Sequence, residues 1–102
     1  MIISKYKNAM MKTELENLLS RRTIREYSDR KIEQKDLESI LESGMRASNC
    51  GNMQLYSIVV TRKQENKEAL CKLHFNQPMV KNADVVLTVC ADVNRFHKYC
   101  EL

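Results

Sequence analysis

The stretch Ser20-Arg21-Arg22-Thr23-Ile24-Arg25-Glu26-Tyr27 concentrates three guanidinium groups and a hydroxyl within five residues. In an extended segment, alternate side chains share a side, so Arg21, Thr23 and Arg25 converge on one target while Arg22 and Ile24 face away. Planar guanidinium forks match phosphate oxygens bidentately, and a threonine hydroxyl adds a neutral donor. The chemistry implied is the holding of a phosphate or another oxyanion. A solvated basic turn would carry the same residues, so the pattern by itself leaves both readings open.

A second stretch, Arg46-Ala47-Ser48-Asn49-Cys50-Gly51-Asn52-Met53-Gln54-Leu55-Tyr56, is crowded with small and amide-bearing residues. Asn and Gln offer both donors and acceptors, as needed to read the edge of a heteroaromatic ring, and Gly51 permits close backbone approach. A helix C-cap and turn would use the same residue types. A third pattern, Cys71-Lys72-Leu73-His74 with His97-Lys98-Tyr99-Cys100, twice sets a thiol and an imidazole three residues apart, as a two-plus-two zinc site would. Such pairs arise readily by chance, and Cys71 lies beside the core positions Leu70 and Leu73, so no metal site is assigned.

These groups need elements to hold them. Leu15, Leu18 and Leu19 lie at helical spacing within Lys12–Ser20, which predicts a first short amphipathic helix. Leu37, Ile40, Leu41, Gly44 and Met45 mark one face of a second helix, from about Glu33 to Ala47. Leu55–Thr61 is dense in β-branched and aromatic residues and reads as a strand. Val85–Ala91 is apolar except for Thr88, the pattern of a strand covered on both faces. Between them Gln64–Leu73 reads as a helix with Leu70 and Leu73 inward, and a last helix runs from Val93 to Cys100. Two strands cannot cover the apolar faces of four helices, so more strands are expected than the chain supplies.

Composition bounds the rest. The 102 residues suffice for one domain, and a chain with 43% hydrophobic and 29% charged residues is globular rather than disordered. The net charge of +4 comes from a positive excess in the first third. That charge suits nucleic acid, an anionic membrane or a phosphorylated small molecule equally well. No run approaches a membrane span, and the opening residues lack a secretory pattern, so the expected compartment is the cytoplasm, with Cys50, Cys71, Cys90 and Cys100 as reduced thiols. Residues 1–10 are polar, lack a clear period and precede a possible alternative start at Met11; they are expected to be a mobile extension.

The two loops, at this separation and with this helix between them, resemble the FMN-dependent nitroreductase family. The family pattern is roughly Arg-Arg-Ser-Ile-Arg-x-Phe, an amphipathic helix, then Ala-Pro-Ser-Ser-Gly-Asn-x-Gln-Pro-Trp entering a strand. Here the frame reads Arg21-Arg22-Thr23-Ile24-Arg25-Glu26-Tyr27 and Ala47-Ser48-Asn49-Cys50-Gly51-Asn52-Met53-Gln54-Leu55-Tyr56. His74–Ala83 and Val89–Asp92 are also similar, to the second flavin-contacting loop and the central strand. Ser48-Asn49-Cys50 and Leu55-Tyr56 depart from the usual Pro-Ser-Ser and Pro-Trp.

The resemblance implies an α+β fold, a three-layer α/β/α sandwich of which residues 11–102 form the N-terminal half. It implies FMN as cofactor, NADH or NADPH as co-substrate, and hydride transfer onward to a nitroaromatic, quinone or similar small-molecule acceptor. Arg21, Arg22, Thr23 and Arg25 would hold the FMN phosphate and ribityl chain. Ser48, Asn49, Cys50 and Asn52 would contact flavin across a homodimer interface, and Gln77 within the subunit. No catalytic acid, base or nucleophile is required, because the flavin carries the chemistry and the protein supplies position and charge. A half domain is expected to be inactive alone. The rival expectation is a non-enzymatic module that holds an anionic partner such as nucleic acid through the Arg21–Arg25 turn. No interleaved aromatic platform or reading helix accompanies those arginines, which counts against nucleic acid as a partner, and no membrane partner is expected.

Overall fold

The computed structural model describes residues 13–102; the expected extension at residues 1–10 lies outside them. In chain order the described residues form α1 (Glu14–Ser20), α2 (Gln34–Met45), a 3₁₀ turn (Cys50–Asn52), β1 (Tyr56–Thr61), α3 (Gln64–Leu73), α4 (Pro78–Asn82), β2 (Val86–Ala91) and α5 (Asn94–Cys100).

Local chemistry explains most boundaries. Thr13 opens α1 with a capping box: its Oγ1 accepts the Glu16 N–H at 3.2 Å, and Glu16 Oε2 accepts the Thr13 N–H at 2.9 Å. The helix stops where Arg21 turns extended. Along α2, Glu42 takes two bonds from the Arg46 guanidinium, at 2.7 and 3.0 Å, which fastens the last turn. Pro78 starts α4 at a position where a missing N–H costs nothing.

The two strands pair antiparallel, from Tyr56 opposite Ala91 to Thr61 opposite Val86. The Asp92 N–H donating to Leu55 O at 2.9 Å extends the ladder past its end. No hairpin joins them; α3 and α4 fill the connection.

The pairing puts Ser57, Val59 and Thr61 on one face with Val86, Thr88 and Cys90, and Tyr56, Ile58 and Val60 on the other with Leu87, Val89 and Ala91. The first face is partly covered, with Thr61 buried, Ser57, Val86, Thr88 and Cys90 half-buried and Val59 exposed. The second is open along β2, where Val89 is 69% exposed. Coverage of Val85–Ala91 on both faces, as its composition predicts, is therefore not found among the described residues; its burial alternates, as in a sheet with one covered face.

The helices depart from expectation in the same way. Leu15, Leu18 and Leu19 of α1 are exposed, and of the α2 face only Leu37 is buried. In α3 the inward positions are Lys67 and Cys71, while Leu73, expected inside, is 78% exposed. Among the described residues, Leu37 and Cys71 are the only buried hydrophobic side chains.

Candidate functional site

Residues 21–33 run without regular structure, and every side chain in the segment is exposed. What fixes them is a clamp at the far end. Asp84 Oδ2, just before β2, accepts the Ile32 N–H at 2.9 Å, and its Oδ1 pairs with Lys31 Nζ at 3.2 Å. Arg62, just after β1, donates from Nη2 to Ile32 O at 2.6 Å and lies 3.7 Å from Asp84 Oδ2. Both backbone polar groups of Ile32 are thus held by residues flanking the strands. The Ile32 hydrogen bond, then the nearby Lys31 and Arg62 charges, hold the Asp84 carboxyl below its ordinary range against the opposing effect of burial.

The segment so anchored forms one wall of a cleft of about 750 Å³, through Arg25, Glu26 and Tyr27. The opposite wall is Gln77, Pro78, Met79 and Asn82, the turn before α4 and the helix itself. Three consecutive residues lining one wall depart from strict strand-like alternation. Of the residues predicted to bind a cofactor, Arg25 and Gln77 meet at this cleft; Arg21, Arg22 and Thr23 lie on the approach to it in sequence but are not in its lining.

The turn before α4 is tightly specified. Phe75 and Asn76 take consecutive left-handed conformations, with φ of 56° and 55°, and reverse the chain at the end of α3. The Asn76 N–H donates to Cys71 O at 2.9 Å and the Gln77 N–H to His74 O at 3.2 Å. The motifs name Arg25 and Gln77, and the resemblance covers residues 74–83 as a flavin-contacting loop, but Glu26 and Tyr27 are not expected to line a site and Pro78, Met79 and Asn82 are not singled out. The signal for the last three was Pro78 as a helix start, in a helix too short to show a period.

The loop carrying Ser48, Asn49, Cys50 and Asn52 stands apart from the cleft lining. It is built around left-handed residues, Gly51 at φ 58°, Asn52 at 53° and Gln54 at 51°. Asn49 Oδ1 accepts the Gln54 N–H at 3.0 Å, and Asn52 Oδ1 accepts Gln54 Nε2 at 3.2 Å. Each amide oxygen accepts one bond within the loop, so Asn49 and Asn52 keep their N–H donors and one further acceptor position for a ligand.

A second carboxylate, Asp92, latches the opposite end of the sheet. Ser57 Oγ donates to its Oδ2, the Asn94 N–H donates to Oδ1 at 3.2 Å, and Arg95 lies 4.0 Å away. The Ser57 bond first, then the Asn94 bond, lower its pKa. The thiols and imidazoles at 71, 74, 97 and 100 do not gather; among the described residues no three metal-binding side chains do. Cys71 Sγ donates to Gln77 O, and His97 Nε2 lies 3.1 Å from Glu101 Oε1. No helix among the described residues is long and apolar enough to cross a membrane.

Comparison with known proteins places this architecture. A Bacteroides fragilis chain described as an oxidoreductase is 56% identical and superposes with a TM-score of 0.80, over 84% of this chain and 35% of that one. The B. megaterium protein NfrA2 superposes with a TM-score of 0.85 at 30% identity, over 89% of this chain and 37% of that one. An NAD(P)H-dependent FMN reductase of Bacillus subtilis is 32% identical over 81 residues, 79% of this chain and 32% of that protein. The chain therefore spans about a third of the length of these relatives, and it carries their fold over that part. The model of the Nitroreductase family matches residues 18–99, which include the basic segment, the asparagine loop, the strand pair and both cleft walls, and the chain is a member of that family.

Proposed function

We propose that this chain is the cofactor-phosphate part of an FMN-dependent oxidoreductase that takes hydride from NADH or NADPH and delivers electrons to a nitroaromatic, quinone or similar acceptor. The observation that carries this reading is the meeting of Arg25 and Gln77 at one cleft, from segments far apart in sequence. The cleft suits the group. About 750 Å³ falls within the usual range of roughly 300–1,000 Å³ for small-molecule sites. One wall brings a guanidinium, a carboxylate and a phenol, the other two amides and the apolar Pro78 and Met79; the guanidinium suits an anionic end, and the amides with the apolar surface suit a flat heteroaromatic end.

Within that reading Arg25 reaches from the phosphate side toward the ring, while Arg21, Arg22 and Thr23 hold the phosphate and ribityl chain. Gln77 reads a polar edge of the ring from the facing wall. Bound FMN supplies the hydride and electron chemistry; the protein positions it and sets the charge around it. Ser48, Asn49, Cys50 and Asn52, outside this cleft, are assigned to flavin held across a homodimer interface. The chain spans only about a third of the length of these relatives, so the 102 residues alone are expected to show no useful turnover.

The test is a titration of FMN followed by flavin fluorescence, paired with NADPH oxidation in the presence of a nitroaromatic. The proposal requires FMN to bind more tightly than riboflavin. Absence of FMN binding in a longer protein that contains this segment would refute it.

A further inference from the structure

Lys67 is a charged side chain at a position that α3 turns inward, and it is only 5% exposed. Burying an ammonium is costly unless a specific partner receives it. The partner is the Ala83 carbonyl at 2.6 Å, the C-cap of α4, a group that the helix itself leaves without an acceptor role.

Two more side chains of α3 act on the same segment. Gln64 Nε2 donates to Lys81 O at 3.3 Å, and Cys71 Sγ donates to Gln77 O at 3.3 Å. Positions 64, 67 and 71 repeat at helical spacing and so share one face. That face presents three donors to three backbone carbonyls at 77, 81 and 83. The span between those carbonyls carries Gln77, Pro78, Met79 and Asn82, the whole of one cleft wall.

This explains why α3 turns Lys67 and Cys71 inward and leaves Leu73 outside. Helix α4 has five residues, too few to be stable alone, and no buried side chain of its own. Its place depends on being held from outside.

We infer that the donor face of α3, with Lys67 at its centre, is the positioning device for the Gln77–Asn82 cleft wall, so that Lys67 sets ligand affinity at the cleft without touching the ligand. The ligand half of this inference rests on the flavin reading; the positional half does not.

Two readouts separate them. The first is amide hydrogen exchange, with no ligand added. Lys67→Met keeps the apolar stem and removes the donor. It is expected to speed exchange of the Val80 and Ala83 amides, which bond to Gln77 O and Met79 O, by about tenfold relative to the β1–β2 ladder. Lys67→Arg, which keeps a cation with N–H donors, should restore most of the protection. The second readout is FMN titration, in which Lys67→Met should weaken binding by about tenfold.

Equal acceleration throughout the chain, or none in α4, would overturn the inference. If exchange responds but FMN binding does not, the claim that Lys67 sets affinity fails. If a longer protein that contains this segment does not bind FMN, the flavin reading fails while the exchange result still decides the positional claim. Should Lys67→Met fail to fold, Gln64→Ala changes an exposed side chain and decides in its place: faster exchange at Ala83 supports the device, and unchanged exchange refutes it.

Discussion

Ile32 and Asp84, 52 residues apart in the chain, are joined by a hydrogen bond from a backbone N–H to a carboxylate oxygen. It ties the end of the basic segment to the start of β2. Because this bond and the Lys31 and Arg62 charges depress the Asp84 pKa, the contribution to stability is present above the ordinary value of 3.8. It is lost as pH falls from there through the lowered folded value. Asp84→Asn should lower the urea midpoint at neutral pH and flatten its decline below about pH 4. An unchanged acid limb in the variant would mean that the clamp is energetically idle.

Arg21→Ala should weaken FMN by about 10- to 100-fold, the loss of a charge-assisted contact of roughly 1.5–3 kcal/mol. Riboflavin, which has no phosphate, should change little. Parallel titrations of both ligands decide the assignment, and equal weakening would remove Arg21 from the phosphate site.

Gly51 holds a left-handed backbone, and a methyl group there would meet Met53 Cγ at 3.6 Å, an ordinary van der Waals contact. Gly51→Ala should therefore cost about 1–2 kcal/mol through backbone conformation alone. Chemical denaturation of the two proteins measures it. A neutral result would indicate that the loop relaxes to another conformation.

All four thiols are unpaired in the fold, with Cys50 and Cys100 exposed and Cys71 buried. Thiol titration of denatured protein prepared without reductant should find four free groups, two of them reacting quickly in the native state. Metal analysis should find no stoichiometric zinc, and one zinc per chain would revive the site at Cys71, His74, His97 and Cys100.

Much of the order of elements was legible because it rests on local signals. The dense β-branched run into Thr61 and the apolar run into Ala91 gave both strands, and the spacing of Leu37 and Leu41 gave α2. Helix α4 was not legible, since five residues hold less than two turns and its hold comes from Lys67, distant in sequence. Arg25 and Gln77 could be named from the motif, but their meeting depends on the Ile32–Asp84 tie and the turn at Phe75 and Asn76. Neither shows as periodicity. The inward face of α3 was misread because hydrophobicity favours Leu73, whereas the structure spends that face on donors for backbone carbonyls.

The open sheet face at Leu87 and Val89, with the bare leucines of α1, has a thermodynamic consequence. Whatever settles on apolar surface of this kind binds the folded chain in preference to the unfolded one, so mass action enters the folding equilibrium. If that occupant is a second copy of the chain, the melting temperature ceases to be a molecular constant. It rises with protein concentration, and dilution becomes a denaturant.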